Sequence, residues 1–199
     1  MQYRSLTRQT APAVEPVTLA EAKAHLRVDT SDDDTYIGTL ITAAREWCEQ
    51  YLDRTLINTQ WTMRLDSFPY EIELPRPPIA TSGTATAVSL TYTLGDDSTA
   101  TLSTTAYRVD RNSTPGVVRQ LRAGTWPANL DDYNAVAVTW WAGHGASGTS
   151  VPAAIRHAIL MLVGHWYEAR SSVLTGTISK EIEFGVKSLL DSQRWGSYR

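Results

Sequence analysis

The chain has 199 residues, 42% of them hydrophobic and 20% charged, which is enough for one sizeable core or one core with a large insertion. Nothing in a net charge of −3 predicts tight sequence-independent binding to DNA, which needs a basic face. A single cysteine, Cys48, excludes an internal disulfide, and its place on an apolar helical face reads as a small core residue rather than a nucleophile.

The chain opens with MQYRSLTRQTAPAVEPV, which has no apolar stretch of the kind a signal peptide carries. Pro12 and Pro16 disfavour helix, so residues 1–17 are expected to form an extended arm. Thr18 and Glu21 then have the spacing of a capping box, which predicts a short helix over 19–27. The clearest helix is predicted over 33–53. There Ile37, Leu40, Ile41, Ala44, Trp47, Cys48, Tyr51 and Leu52 repeat at intervals of three and four. Ser31, Asp32, Asp33 and Asp34 sit at its start. They read as an N-cap with carboxylates complementing the helix dipole, because the spacing of a calcium loop is absent.

From residue 58 the apolar period changes from helical to two. NTQWTMRLDSF, EIELP, AVSLTYTL, YRVD, GVVRQL and AVAVTWWAG read as short strands with turns such as GDDS between them. LPRPPI is too rich in proline to be a central strand. The region 58–149 is therefore expected to be a large antiparallel β insertion between helical segments.

GHGASGTS leads into VPAAIRHAILMLVGHWYEAR at 151–170, a second strong helical pattern with Pro152 in its first turn. His157 and His165 are eight positions apart, roughly 12 Å along the axis and on different faces, so they cannot share one ion. They read as core or interface residues. The polar stretch SSVLTGTISK is expected to be a loop, and a last short helix is predicted over 183–192. Residues 193–199 form a tail containing two aromatics and two arginines.

The fold class read from this order is α+β. A small helical bundle (18–57 and 150–192) carries the β insertion (58–149), with an N-terminal arm at 1–17 and a tail at 193–199. The expected helical core comprises Ile37, Leu40, Ile41, Trp47, Tyr51, Ile155, Ile159, Leu162 and Trp166. No hydrolase elbow, phosphate-binding loop or metalloprotease motif is present. No catalytic residue, metal ligand or cofactor site is therefore assigned, and no apolar run reaches membrane-spanning length. Nine tyrosines and seven tryptophans suit broad protein-contact surfaces.

The order of segments carries a resemblance. EPVTLAEAKAHLRVDTSDDDTYIGTLITAAREWCEQYLDRTL resembles the opening of the head–tail connector, or adaptor, proteins of long-tailed bacteriophages and gene-transfer particles. LPRPPI, VPAAIRHAILMLVGHWYEAR and LTGTISKEIEFGVKSLL are similar to later landmarks of that family, in the same order, from about residue 16 to 192. The resemblance implies a non-catalytic neck protein of the virion, made in the host cytoplasm. Such a protein forms a homo-oligomeric ring, usually dodecameric, under the portal protein. The ring extends the channel through which genomic DNA passes without tight binding, and supports a stopper or other neck or tail component. By the same resemblance the C-terminal segment reaches the portal, which assigns Arg194, Trp195, Tyr198 and Arg199 to portal docking. The competing readings are a stopper or tail terminator, which would be dominated by β structure, and a virion-associated hydrolase, which would need a convergent acid/base pair.

Overall fold

The computed structural model describes residues 3–81, 88–169 and 178–194. The chain divides into two compact units, one made of 1–12 and 58–144, the other of 13–57 and 145–199. Its helices and antiparallel sheets are those of the α+β class expected from the sequence.

The β unit has eight strands among the described residues. They are β1 (Ser5–Arg8), β2 (Thr59–Leu65), β3 (Glu71–Leu74), β4 (Ser89–Thr93), β5 (Thr99–Thr101), β6 (Tyr107–Asp110), β7 (Gly116–Gln120) and β8 (Val136–Ala142). Five of them form a sheet in the order β1-β2-β8-β4-β5, and three form a second sheet in the order β3-β7-β6. Every pairing is antiparallel. The two-residue alternation explains the packing. Trp61 faces Trp140 across β2 and β8, Met63 faces Val138 and Leu65 faces Val136, and all six side chains are buried. Ile72, Leu74, Val118 and Tyr107 from the second sheet join the same core. The Tyr107 hydroxyl donates to the Val88 carbonyl at 2.6 Å, so its one polar atom is satisfied where it is buried. Leu74 ends β3, and the rest of LPRPPI stays outside the named strands, with Ile79 making an isolated bridge to Ala142.

Two strands were not expected. Residues 5–8, read from the sequence as part of a free arm, pair with β2 over Ser5–Arg64 to Arg8–Trp61. Four residues with no apolar alternation give too weak a strand signal; the strand exists because β2 offers an open edge. The three-residue β5 hairpins onto β4 for the same reason.

The helical unit contains α1 (Leu19–Leu26), α2 (Asp34–Leu52), α3 (Ala153–Glu168) and α4 (Ile178–Asp191). Its core gathers Ile37, Leu40, Ile41, Ala44, Cys48 and Leu52 from α2 with Ile155, Ala158, Ile159, Leu162 and Val163 from α3. Val186 and Leu190 of α4 are fully buried with them. Trp47, Tyr51 and Trp166 are only partly buried and pack against the margin of this core. The last helix begins at residue 178, not 183. Ile178, Ile182, Val186 and Leu190 form an unbroken series at intervals of four that runs back into the polar stretch. The glycine-rich GHGASGTS segment has a packing reason at Gly148. A Cβ there would meet the Pro16 carbonyl oxygen at 2.7 Å, so the backbones of 148 and 15–16 can approach only because the side chain is absent.

Candidate interaction surfaces

The capping box on α1 forms as its spacing predicts. The Glu21 amide donates to the Thr18 hydroxyl at 3.2 Å, and the Thr18 amide donates to the Glu21 carboxylate at 2.8 Å. The Thr18 backbone and hydroxyl bonds, aided by Arg156, hold the Glu21 carboxyl below its ordinary range. Arg156 of α3 pairs with Glu21 and donates from Nε to the Pro16 carbonyl at 2.9 Å. One carboxylate thus caps α1 and ties it to α3.

The acidic run before α2 does something different from what its sequence predicts. Asp33 occupies the N-cap position but makes no side-chain capping bond. Its carboxylate instead accepts from the Tyr167 hydroxyl at 2.5 Å, and Asp34 pairs with Lys23 at 2.6 Å. The dipole argument survives through Asp34 in the first turn. The capping bond is replaced by two tertiary contacts. No group of three or more potential metal ligands occurs among the described residues.

Sequence reasoning missed the buried charged pair of the unit. Arg45 and Glu49 on α2 are each 3% exposed. Arg45 donates through Nη1 to Glu49 at 2.9 Å and through Nε to Glu15 at 2.8 Å. The other Glu49 oxygen accepts the Leu56 amide at 3.0 Å, and Thr42 donates to Glu15 at 2.9 Å. This network fastens the segment before α1, and the turn after α2, to the middle of α2. The only sequence signal was the i, i+4 spacing of Arg45 and Glu49, which is common on exposed helix faces. Burial opposes the charge on Arg45 most strongly, yet Glu49 and Glu15 together raise its pKa above the ordinary value.

Cys48 lies beside this network, fully buried, and burial followed by the Glu49 charge pushes its thiol up to about 12. It cannot supply a thiolate near neutral pH. His157 is exposed on α3 and His165 is half-buried, so His157 does not belong to the core.

Of the four residues assigned to portal docking, Arg194 lies within the described residues; Trp195, Tyr198 and Arg199 lie outside them. Arg194 is exposed and sits over the Tyr51 ring at 5.2 Å. Tyr51 stacks on Trp47 with ring centroids 5.3 Å apart, and its hydroxyl donates to Asp191 at 2.6 Å. That bond to Asp191 raises the Tyr51 pKa. The chain therefore leaves α4 fixed against the C-terminal half of α2. This accounts for Trp47 and Tyr51 lying at the core margin: they serve the root of the tail.

Residues 16–95 match the family model described as Phage gp6-like head-tail connector protein. No curated protein matches the chain. Three similar solved structures come from gene transfer agent (GTA) particles. A chain from the neck of an empty GTA particle, computed with C6 symmetry, is 22% identical with a TM-score of 0.76, covering 96% of this chain and 95% of that one. A chain from the virion of a native GTA particle is 21% identical with a TM-score of 0.74, covering 95% and 94%. A chain from the neck of a native GTA particle, computed with C12 symmetry, is 21% identical with a TM-score of 0.70, covering 96% and 94%. The resemblance read from the sequence is thus borne out: residues 16–95 match the gp6-like head-tail connector model, and the fold is shared along nearly the whole chain with chains of GTA particles.

Proposed function

We propose that this protein is a structural neck component of a phage-like particle, a head–tail connector. It assembles with copies of itself into a ring, twelve by the symmetry of one related neck, beneath the portal vertex. The observation that carries this reading is the coincidence of two independent likenesses. The family model covers α1, α2 and β2 to β4, while the shared fold covers both units with no large insertion on either side. A stopper or tail terminator fits less well, because four helices build one of the two units. The role is mechanical rather than catalytic: the side chains that meet in the helical unit fasten segments together.

In this reading the portal is met by the C-terminal tail through Arg194, Trp195, Tyr198 and Arg199, and the clamp on Tyr51 sets where that tail starts. Arginine with aromatic side chains suits anchoring in a partner groove lined by acidic and apolar groups. The neck extends the DNA channel without gripping DNA, and gives the next neck or tail component its platform. The test is to remove residues 193–199 and follow particle assembly. The expected result is a folded protein, melting as the full chain does, with filled capsids that lack tails. Normal tailed particles would make the tail dispensable. If removing the whole chain also left tails attached, the neck assignment itself would fail.

A further inference from the structure

Five large apolar side chains are exposed among the described residues, and three of them are tyrosines that emerge at one end of the five-stranded sheet. The register sets this. Ser5 pairs with Arg64 and Leu65 with Val136, so β1 starts, β2 stops and β8 starts at the same end. Tyr3 precedes β1, Tyr70 closes the loop after β2, and Tyr133 lies in the loop before β8. They are 43%, 83% and 68% exposed. No hydrogen bond or ring contact to Tyr70 or Tyr133 exists among the described residues.

The segments that carry these rings are pinned. Asp66 accepts from Arg4 Nε at 2.7 Å and from the Asn134 amide at 3.0 Å, which ties the start of β1 to both loops. Phe68 stacks on Trp126 with ring centroids 4.8 Å apart and meets Tyr92 edge-on at 6.1 Å. Tyr70 and Tyr133 thus stand on ordered backbone, and docking them costs little beyond side-chain freedom. The turn after β4 joins the same end. The Gly95 amide donates to the Asn129 carbonyl at 2.9 Å, and the Asp131 amide to the Thr93 carbonyl at 3.1 Å. Asp96 and Asp97 therefore come beside Asp131 and Asp132, and no ion pair to any of the four exists among the described residues. Arg4 is spent on Asp66, and Arg119 of the adjoining sheet on Glu71. Arg122, in the turn after β7, adds one cation on the Tyr70 flank, so the end as a whole stays acidic.

We propose that this tyrosine end of the β unit docks a different protein, whose matching surface is apolar and ringed by lysine or arginine. Exposed aromatic rings on ordered backbone are the side chains that anchor protein interfaces. Tyrosine faces also take guanidinium groups. Unpaired carboxylates around the rings select a basic partner and speed its encounter. The same carboxylates repel phosphate, so nucleic acid is the wrong occupant. A second copy is a poorer one, because Arg4, Lys23, Arg45, Arg119 and Arg156 are already held by carboxylates of their own chain. The partner's place rests on the neck reading: it is the neck or tail component that the ring supports.

Three full-length variants placed in the particle test this: Tyr70→Ser with Tyr133→Ser, Asp131→Lys with Asp132→Lys, and Tyr70→Phe with Tyr133→Phe. Copies of the chain per purified particle are counted, and tailed particles are scored in images. The serine pair and the charge reversal are each expected to lower tailed particles about tenfold, while copies of the chain stay at the unaltered level. The phenylalanine pair keeps the rings and is expected to stay within about twofold of the unaltered chain. Melting temperature checks that each variant is folded. Normal tailing in both the serine pair and the charge reversal would overturn the proposal and leave the neck reading intact. So would a fall in copies of the chain, which would put this end between copies or against the portal. Tailed particles that lose their DNA would mean that the end meets nucleic acid and not a protein. Absence of the unaltered chain from the neck would remove the neck reading and the proposal together.

Discussion

The two units handle charge in opposite ways. The helical unit buries it: Arg45 and Glu49 sit inside, each 3% exposed, with Glu15 closing the network. The β unit keeps its interior apolar around Trp140, Met63, Ile72 and Leu90, with Thr59 its one buried polar side chain among the described residues, and keeps its charged side chains at the surface. A buried ion pair gives little net stability over an apolar equivalent, but losing one partner is costly. It therefore fixes the path of the segments it touches. Exposed, unbalanced charges do little for the fold and are free to choose partners. The helical unit thus reads as the part whose geometry is fixed by buried charge, and the β unit as the part held by apolar packing alone.

The comparison can be broken at several points. Glu49→Ala should produce the largest loss, about 3–5 kcal/mol, because it strands the Arg45 guanidinium and the Leu56 amide inside the unit. Replacing the pair together, Arg45→Met with Glu49→Leu, should recover most of that loss if the network acts through specificity of path; chemical denaturation of both variants measures the difference. In the β unit Trp140→Ala should cost a similar or slightly smaller amount, about 3–5 kcal/mol, by opening a cavity opposite Trp61. Trp47→Ala and Trp166→Ala should cost less, about 1–3 kcal/mol, because both rings are only half-buried. Full-size losses there would mean that the margin of the helical core is tighter than its exposure indicates.

Smaller effects sharpen the account. Thr18→Ala should cost about 1 kcal/mol through the lost cap. The Glu21 carboxyl is held below its ordinary value of 4.5, so its contribution is fully present above that value. It is lost as pH falls through the depressed folded value. Thr18→Ala should therefore flatten the acid limb of the stability curve, read as melting temperature between neutral pH and pH 3. The smallest expected effect is none. A chelator should leave the melting temperature unchanged, since Asp33 and Asp34 are spent on Tyr167 and Lys23.

The sequence was most legible where one period ran long. The nineteen residues of α2 and the sixteen of α3 repeat their apolar positions over several turns, and their ends fell within two residues of expectation. The seven-residue strands β2 and β8 were equally plain. Strand β1 was not, because its reason to exist lies in the open edge of β2, more than fifty residues away. The Arg45 network was hidden for a related reason. Residue 15 approaches residue 45 only in the folded unit, and an i, i+4 ion pair looks the same exposed or buried. The Asp33 cap was misread because a tyrosine 134 residues later outcompetes the local amide for the carboxylate.

The central claim is that this chain forms the neck ring of a phage-like particle, with its tail directed at the portal. A cryo-EM reconstruction of the particle neck tests it most directly. The predicted result is a closed ring of this chain immediately below the portal, with density for residues 193–199 entering the portal. Finding the chain elsewhere in the particle, or absent from it while the neck is complete, would contradict the account.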